Sequence, residues 1–280
     1  MNASATAWRW KGRRNARQAA NSPAVEGIAR AGMVAQGVLF VLVGLLALRI
    51  AFGDSGGKQA DQSGALRELA AQPFGQFLVW GVGLGLAGLA VWRLSEAAFG
   101  AAEKGGRKPH KRLLAAGRCV LYGILAFSVL SYASGAKGSG SSDAKSEDIT
   151  ARALSAPAGQ VLVGVVGLVV AVVGAWSAVQ ALRRKFHDEL RMSRIPRRSR
   201  KWIDLLGVSG GVARGAVLVA LGFFAMEAAW SSDADEVKGM DGALRSFADT
   251  PAGPWLLVAV AVGVALYGLF SFVLARWRRV

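Results

Sequence analysis

Six stretches of the chain, approximately Met33–Phe52, Gln76–Leu94, Leu113–Ala133, Gln160–Leu182, Val208–Ala229 and Trp255–Ala275, run for about twenty residues of mostly Val, Leu, Ala and Gly. A helix needs about 20 apolar residues to cross ~30 Å of hydrocarbon. None of the six shows period-two alternation and all exceed the length of a strand, so six transmembrane helices are predicted and a barrel is excluded. With 53% of residues hydrophobic and 19% charged, the chain also lacks the polar surface of an ordinary soluble domain.

The formal charge of +16 comes from 34 Lys and Arg against 18 Asp and Glu, and the basic residues are segregated. The segment through Arg30, the links Arg93–Arg118 and Arg183–Arg214, and the tail Arg276, Arg278 and Arg279 together hold 26 of the 34. The other three connections, 53–75, 134–159 and 230–253, hold seven. By the positive-inside rule both termini and the two basic links are expected in the cytoplasm. Met1–Ala31 has no apolar core of signal-peptide length, so the first span is expected to act as its own uncleaved anchor. Trp80, Trp230 and Trp255 fall near outer span ends and Trp92, Trp176 and Trp277 near inner ones, as in an aromatic belt. Cys119 is the single cysteine, which excludes an internal disulfide, and it reads as a small packing residue in a span.

Self-comparison shows a two-helix unit repeated three times. First spans align at Ala35-Gln36-Gly37, Gly117-Arg118-Cys119 and Ala213-Arg214-Gly215. Second spans open with Pro73-Phe74-Gly75, Pro157-Ala158-Gly159 and Pro251-Ala252-Gly253. Proline suits the first turn of a helix, where its missing N–H has no partner to lose. A short amphipathic piece precedes the proline, clearest in Gly64–Ala70 and Gly242–Ala248, whereas Gly135–Ser146 in the second unit reads as a mobile Gly/Ser/Lys-rich loop. Each unit has two spans, so all three enter the membrane in the same direction. The expected fold is an all-α transmembrane six-helix bundle of three parallel repeats about a pseudo-threefold axis along the membrane normal. Its divisions are a basic disordered arm at 1–24, repeat 1 at 25–104, repeat 2 with the long basic link at 105–200, and repeat 3 at 201–280. Small residues such as Gly37 and Gly44, or Gly81, Gly85 and Gly88, would let helix backbones approach closely.

The recurring pattern of a basic residue and Gly opening a span, then Gly-Ala-Leu-Arg, then Pro-x-Gly, resembles a bacterial integral-membrane family classed as a domain of unknown function. Ala29-Arg30-Ala31-Gly32, Phe186 with Met192-Ser193-Arg194, and Gly210–Gly215 carry the likeness, which extends from Ile28 to Ala275. The resemblance implies this fold, this topology and a bacterial inner membrane, and it implies no activity. Gln36 departs from the basic residue usual at its position.

Ionisable residues inside spans are functional candidates because burying them is costly. Arg49 and Glu227 occupy equivalent positions in units one and three and are a candidate intramembrane ion pair, read either as a gate or, in preference, as a structural or snorkelling pair. Gln36, Arg118 and Arg214 sit at cytoplasmic helix starts as candidate contacts for anions or anionic lipid, with interfacial anchoring as the plainer reading. The link with Arg183, Arg184, Lys185, Arg191, Arg194, Arg197, Arg198, Arg200 and Lys201 reads as a topology signal on a membrane-lying amphipathic segment, and the arm Trp8–Arg14 as a surface-adhering one. Neither is accompanied by a nucleic-acid-binding fold, so no nucleic acid is expected. His187-Asp188-Glu189 points in divergent directions and reads as a solvated face, so no metal is expected there. No nucleotide loop, HExxH or nucleophile elbow occurs, and neither a cofactor nor an enzymatic activity is expected. The favoured reading is a non-enzymatic accessory, scaffold or lipid-interacting subunit of the inner membrane, with anionic headgroups, a protein partner or a second copy as associates. A small-solute or ion channel or transporter is the alternative, disfavoured by the few polar residues within the spans.

Overall fold

The computed structural model describes residues 23–52, 59–100, 109–135, 142–233, 237–248 and 253–278 of the 280-residue chain. Most of the arm expected at 1–24, including Trp8–Arg14, lies outside them, as do Pro251 and Ala252. Among the described residues the chain forms nine α-helices and no strand. These are α1 (Pro23–Ala51), α2 (Gln62–Ala70), α3 (Gly75–Phe99), α4 (Pro109–Ala133), α5 (Ser142–Leu154), α6 (Gly159–Leu182), α7 (Arg197–Ser231), α8 (Met240–Ala248) and α9 (Gly253–Trp277). Helices α1, α3, α4, α6, α7 and α9 are long and apolar enough to cross a membrane, and the chain is a multi-pass membrane protein.

Several helices outrun the apolar stretches that reveal them. At 1.5 Å per residue the 35 residues of α7 extend about 53 Å, well beyond ~30 Å of hydrocarbon. Its first two turns, Arg197–Trp202, therefore project from the end of the bundle that carries the basic links. The loop expected at Gly135–Ser146 in the second repeat is likewise shortened, because Ser142–Ser146 belongs to α5.

The Pro-x-Gly motif does its work one step earlier than a helix-start proline would. Gly75 N–H donates to Gln72 O at 2.8 Å and Gly159 N–H to Ala156 O at 2.9 Å, each closing a four-residue turn with proline second. Proline fixes φ as negative, and the third residues, Phe74 and Ala158, have φ of 62° and 61°, which makes the turns type II. The prolines therefore precede the helices, and the glycines are their first residues. Glycine is needed there for space: a Cβ on Gly75 would stand 2.2 Å from Ala70 O, and one on Gly159 2.0 Å from Ala153 O.

Consecutive repeats interlock through small residues. Helix α6 meets α7 where Gly167 faces Gly222 and Gly174 faces Gly215, and a Cβ on any of the four would lie 2.5–2.8 Å from a backbone oxygen opposite. Helix α9 meets α1 in the corresponding way at Gly268 and Gly37, and α3 meets α4 where Gly83 faces Leu130. Without a hydrophobic drive between helices in lipid, such close approach and the dispersion it permits hold the pair. Gln76 donates across the α3–α4 contact to Ala133 O, and its equivalent Gln160 reaches Ser232 across α6–α7.

The spans thus follow one another as α4, α3, α1, α9, α7 and α6, with no extended contact between α4 and α6. Those two bury least, 17% of the residues in their apolar windows against 50% or more in α1, α3 and α9. The core runs through Leu39, Val43, Leu86, Leu257 and Val264. At the acidic end it is capped by α2 and α8, where Asp241 accepts from Ala60 N–H at 2.6 Å and Asp61 caps α2 at Gly64 N–H.

The long basic link is not one continuous helix. Two single 3₁₀ turns, Lys185–Asp188 and Met192–Arg194, fold it over the basic end of the bundle. Its apolar residues explain this: Leu190 and Ile195 are buried with Ile203 and Phe270, and Phe186 fills the space beside Gly207. Arg191 N–H donates to Trp277 O at 2.9 Å, and Leu190 pairs with Arg278 in an isolated bridge.

Candidate functional site

The spans contain few ionisable side chains, and those near the basic end gather into one layer. Arg93 and Glu96 lie one turn apart on α3, buried, with Nη1 to Oε2 at 2.5 Å. Trp92 lies buried beneath two guanidiniums, those of Arg93 at 4.3 Å and Arg278 at 4.9 Å from its ring. It belongs to this layer and not to the expected aromatic belt, whereas Trp80, Trp176, Trp230 and Trp255 are exposed as a belt requires. Arg278 in turn pairs with Glu189 of the folded link at 2.9 Å.

The three repeat-equivalent positions Gln36, Arg118 and Arg214 face this same layer, and their circumstances differ. Tyr122 of α4 donates to Gln36 Oε1 at 3.2 Å. Arg214 donates to Tyr267 OH at 2.8 Å and lies over that ring, whose edge contact with Phe40 fixes its orientation. Arg118 lies within electrostatic reach of Arg93, Arg214, Glu189 and Tyr122, yet forms no hydrogen bond or ion pair among the described residues. Four guanidiniums (Arg93, Arg118, Arg214, Arg278) thus face two carboxylates (Glu96, Glu189), leaving the layer a net +2. Arg93 Nε is buried without a hydrogen-bond partner. Uncompensated positive charge in a low-dielectric setting attracts an anion, and orphaned guanidinium N–H groups are the donors that would hold its oxygens.

The expected pair of Arg49 and Glu227 does not form. Helix α9 packs between α1 and α7 and separates them. Arg49 turns instead to Glu68 of its own repeat, at 3.8 Å with half its side chain exposed, while Glu227 is exposed near the C-terminal end of α7. His187 is not on a solvated face: it meets Asp204 at 2.5 Å, and Arg184 shares that carboxylate at 3.3 Å. Among the described residues no group of three His, Cys, Asp or Glu is placed to hold a metal. Cys119 is half-buried at the position where the other repeats have Gly37 and Gly215.

Arg93, Glu96, Glu189 and Arg278 enter the site although Arg93 stands at the very end of an apolar stretch and the other three lie beyond one. The i,i+3 spacing of Arg93 and Glu96 was the available signal, since opposite charges one turn apart extend a helix beyond its apolar stretch.

The family described as Domain of Unknown Function (DUF1206) matches the chain three times, over residues 31–100, 114–184 and 209–278, one match to each repeat. The chain is 30% identical over 251 residues to the uncharacterized protein YxxB of Bacillus subtilis (strain 168), an alignment spanning 89% of this chain and 90% of that protein. No solved structure matches it.

Proposed function

The chain belongs to the DUF1206 family, and on that footing we propose that it is a non-enzymatic protein of the bacterial inner membrane that binds anionic lipid through its basic end. In this reading both termini and the folded link face the cytoplasm, where the link's arginines and the α7 projection meet acidic headgroups. The observation that carries it is the net +2 of the arginine layer, an excess that calls for a counter-charge, with Arg118 in no ion pair among the described residues. A headgroup phosphate supplies that counter-charge and accepts from guanidinium N–H groups in the geometry arginine favours.

The test is thermal unfolding in nanodiscs of increasing phosphatidylglycerol content in phosphatidylcholine. The midpoint is expected to rise with anionic fraction for the native chain and to rise much less for Arg118→Gln. A midpoint independent of lipid charge would refute lipid binding. A C-terminal fluorescent-protein fusion tests the orientation: cytoplasmic placement gives a fluorescent fusion, whereas an active C-terminal alkaline phosphatase fusion would reverse it.

A further inference from the structure

Five span pairs pack closely, and the sequence register explains why no further contact closes α4 onto α6. In repeat 1 the two spans cross at Gly32 and Gly85: a Cβ on Gly32 would stand 2.5 Å from Gly85 O, and one on Gly85 2.8 Å from the Ala35 Cβ. Repeat 3 crosses in the same way at Gly210, 2.5 Å from Tyr267 N, and at Gly263, 2.3 Å from the Ala213 Cβ. Aligned on Arg118 and Pro157, the second repeat has Leu114 and Val169 at those two glycine positions. Side chains of that size forbid the close crossing, and α4 and α6 make no extended contact, which leaves a seam where the other two repeats close.

The same register accounts for the unpaired charge. Tyr267, which accepts from Arg214 across the α7–α9 crossing, has Val173 as its counterpart on α6. Valine offers no acceptor, so Arg118 lacks the partner that Arg214 has. Leu114, Arg118, Leu121 and Leu125 fall on one face of α4 by their i, i+4, i+7, i+11 spacing. Leu162, Val166, Val169, Val173 and Trp176 do the same on α6, and all five are exposed. The seam is therefore apolar for most of its length, with a cation toward its basic end.

We infer that the seam between α4 and α6 is a groove for one anionic phospholipid, its phosphate on Arg118 and its acyl chains along Leu121, Val169 and Val166. The inference rests on the lipid-binding reading above and adds where the lipid sits. Charge complementarity selects this occupant. A second copy of the chain would bring another Arg118 or a row of valines to a layer that already carries a net +2, whereas a phospholipid brings an anion and matching hydrocarbon together.

A photo-crosslinking residue at Leu121 or Val169, both exposed, tests it in nanodiscs containing phosphatidylglycerol and phosphatidylcholine in known proportion. Leu84 on α3, exposed away from the seam, serves as the control. Seam adducts are expected to be enriched several-fold in phosphatidylglycerol over the bilayer, control adducts to match the bilayer, and the enrichment to vanish in Arg118→Gln and return in Arg118→Lys. Seam adducts of bulk composition would overturn the groove. If the native protein's unfolding midpoint still rises with phosphatidylglycerol in that case, lipid binding stands and only its location fails. If both responses are absent, both readings fall.

Discussion

Replacing Glu96 with Gln removes the carboxylate 2.5 Å from Arg93 Nη1, in a pair whose side chains are 7% and 10% exposed. Breaking a buried pair by removing one partner costs about 3–5 kcal/mol, because the remaining charge is stranded. Arg93 cannot easily leave, since it is buried against Trp92. The substitution therefore raises the layer from a net +2 to a net +3. An added anion recovers part of the loss: a unit charge about 8 Å away at an effective dielectric of ~20 is worth about 2 kcal/mol. Unfolding followed by tryptophan fluorescence should then show the full deficit in phosphatidylcholine nanodiscs and one smaller by about 1–2 kcal/mol when phosphatidylglycerol is present. An equal deficit in both lipids would refute anion attraction by the layer. Native-like stability in both would refute the structural role of the pair itself.

Two further perturbations probe the architecture. Gly222→Leu drives a side chain into a space where even a Cβ would lie 2.5 Å from Gly167 O and Ala171 N, so α6 and α7 must separate; a loss of about 1–3 kcal/mol is expected, read as a lower unfolding midpoint. Ala158→Gly should stabilise by about 1 kcal/mol, because Ala158 pays the left-handed penalty at φ 61° that glycine avoids; a lowered midpoint would show that the turn is not strained.

The spans and their threefold repetition are legible in the sequence because both rest on long, redundant signals. Six apolar stretches and three Pro-x-Gly motifs survive local drift. The span ends are less legible, since helical structure continues through charged residues when these pair along the helix, as Arg93 does with Glu96. The folding of the link against the bundle is hidden for a related reason: its arginines dominate its composition, but the buried Leu190 and Ile195 decide its placement. Equivalence in the repeat suggested that Arg49 would meet Glu227, yet equivalence fixes depth and leaves neighbours open, and α9 stands between the two helices. Of the three aligned positions, Arg118 is the one without a hydrogen-bond or ion-pair partner among the described residues, and the cause lies on another helix, in Val173 at the place of Tyr267. The open seam was readable in principle, because Leu114 and Val169 stand where the other two repeats each have glycine. Recognising it requires knowing that those glycines form the crossing, and the contacts across α1–α3 and α7–α9 supply that knowledge.

Native mass spectrometry of the protein released from a mild detergent measures retained lipid directly. The arginine layer predicts that the native chain keeps phosphatidylglycerol in preference to phosphatidylethanolamine. Arg118→Gln should lose that preference, while Arg30→Gln, whose arginine already pairs with Glu26 at 2.5 Å, should keep it. Equal retention of both lipids by the native chain, or a preference that survives in Arg118→Gln, would contradict the account.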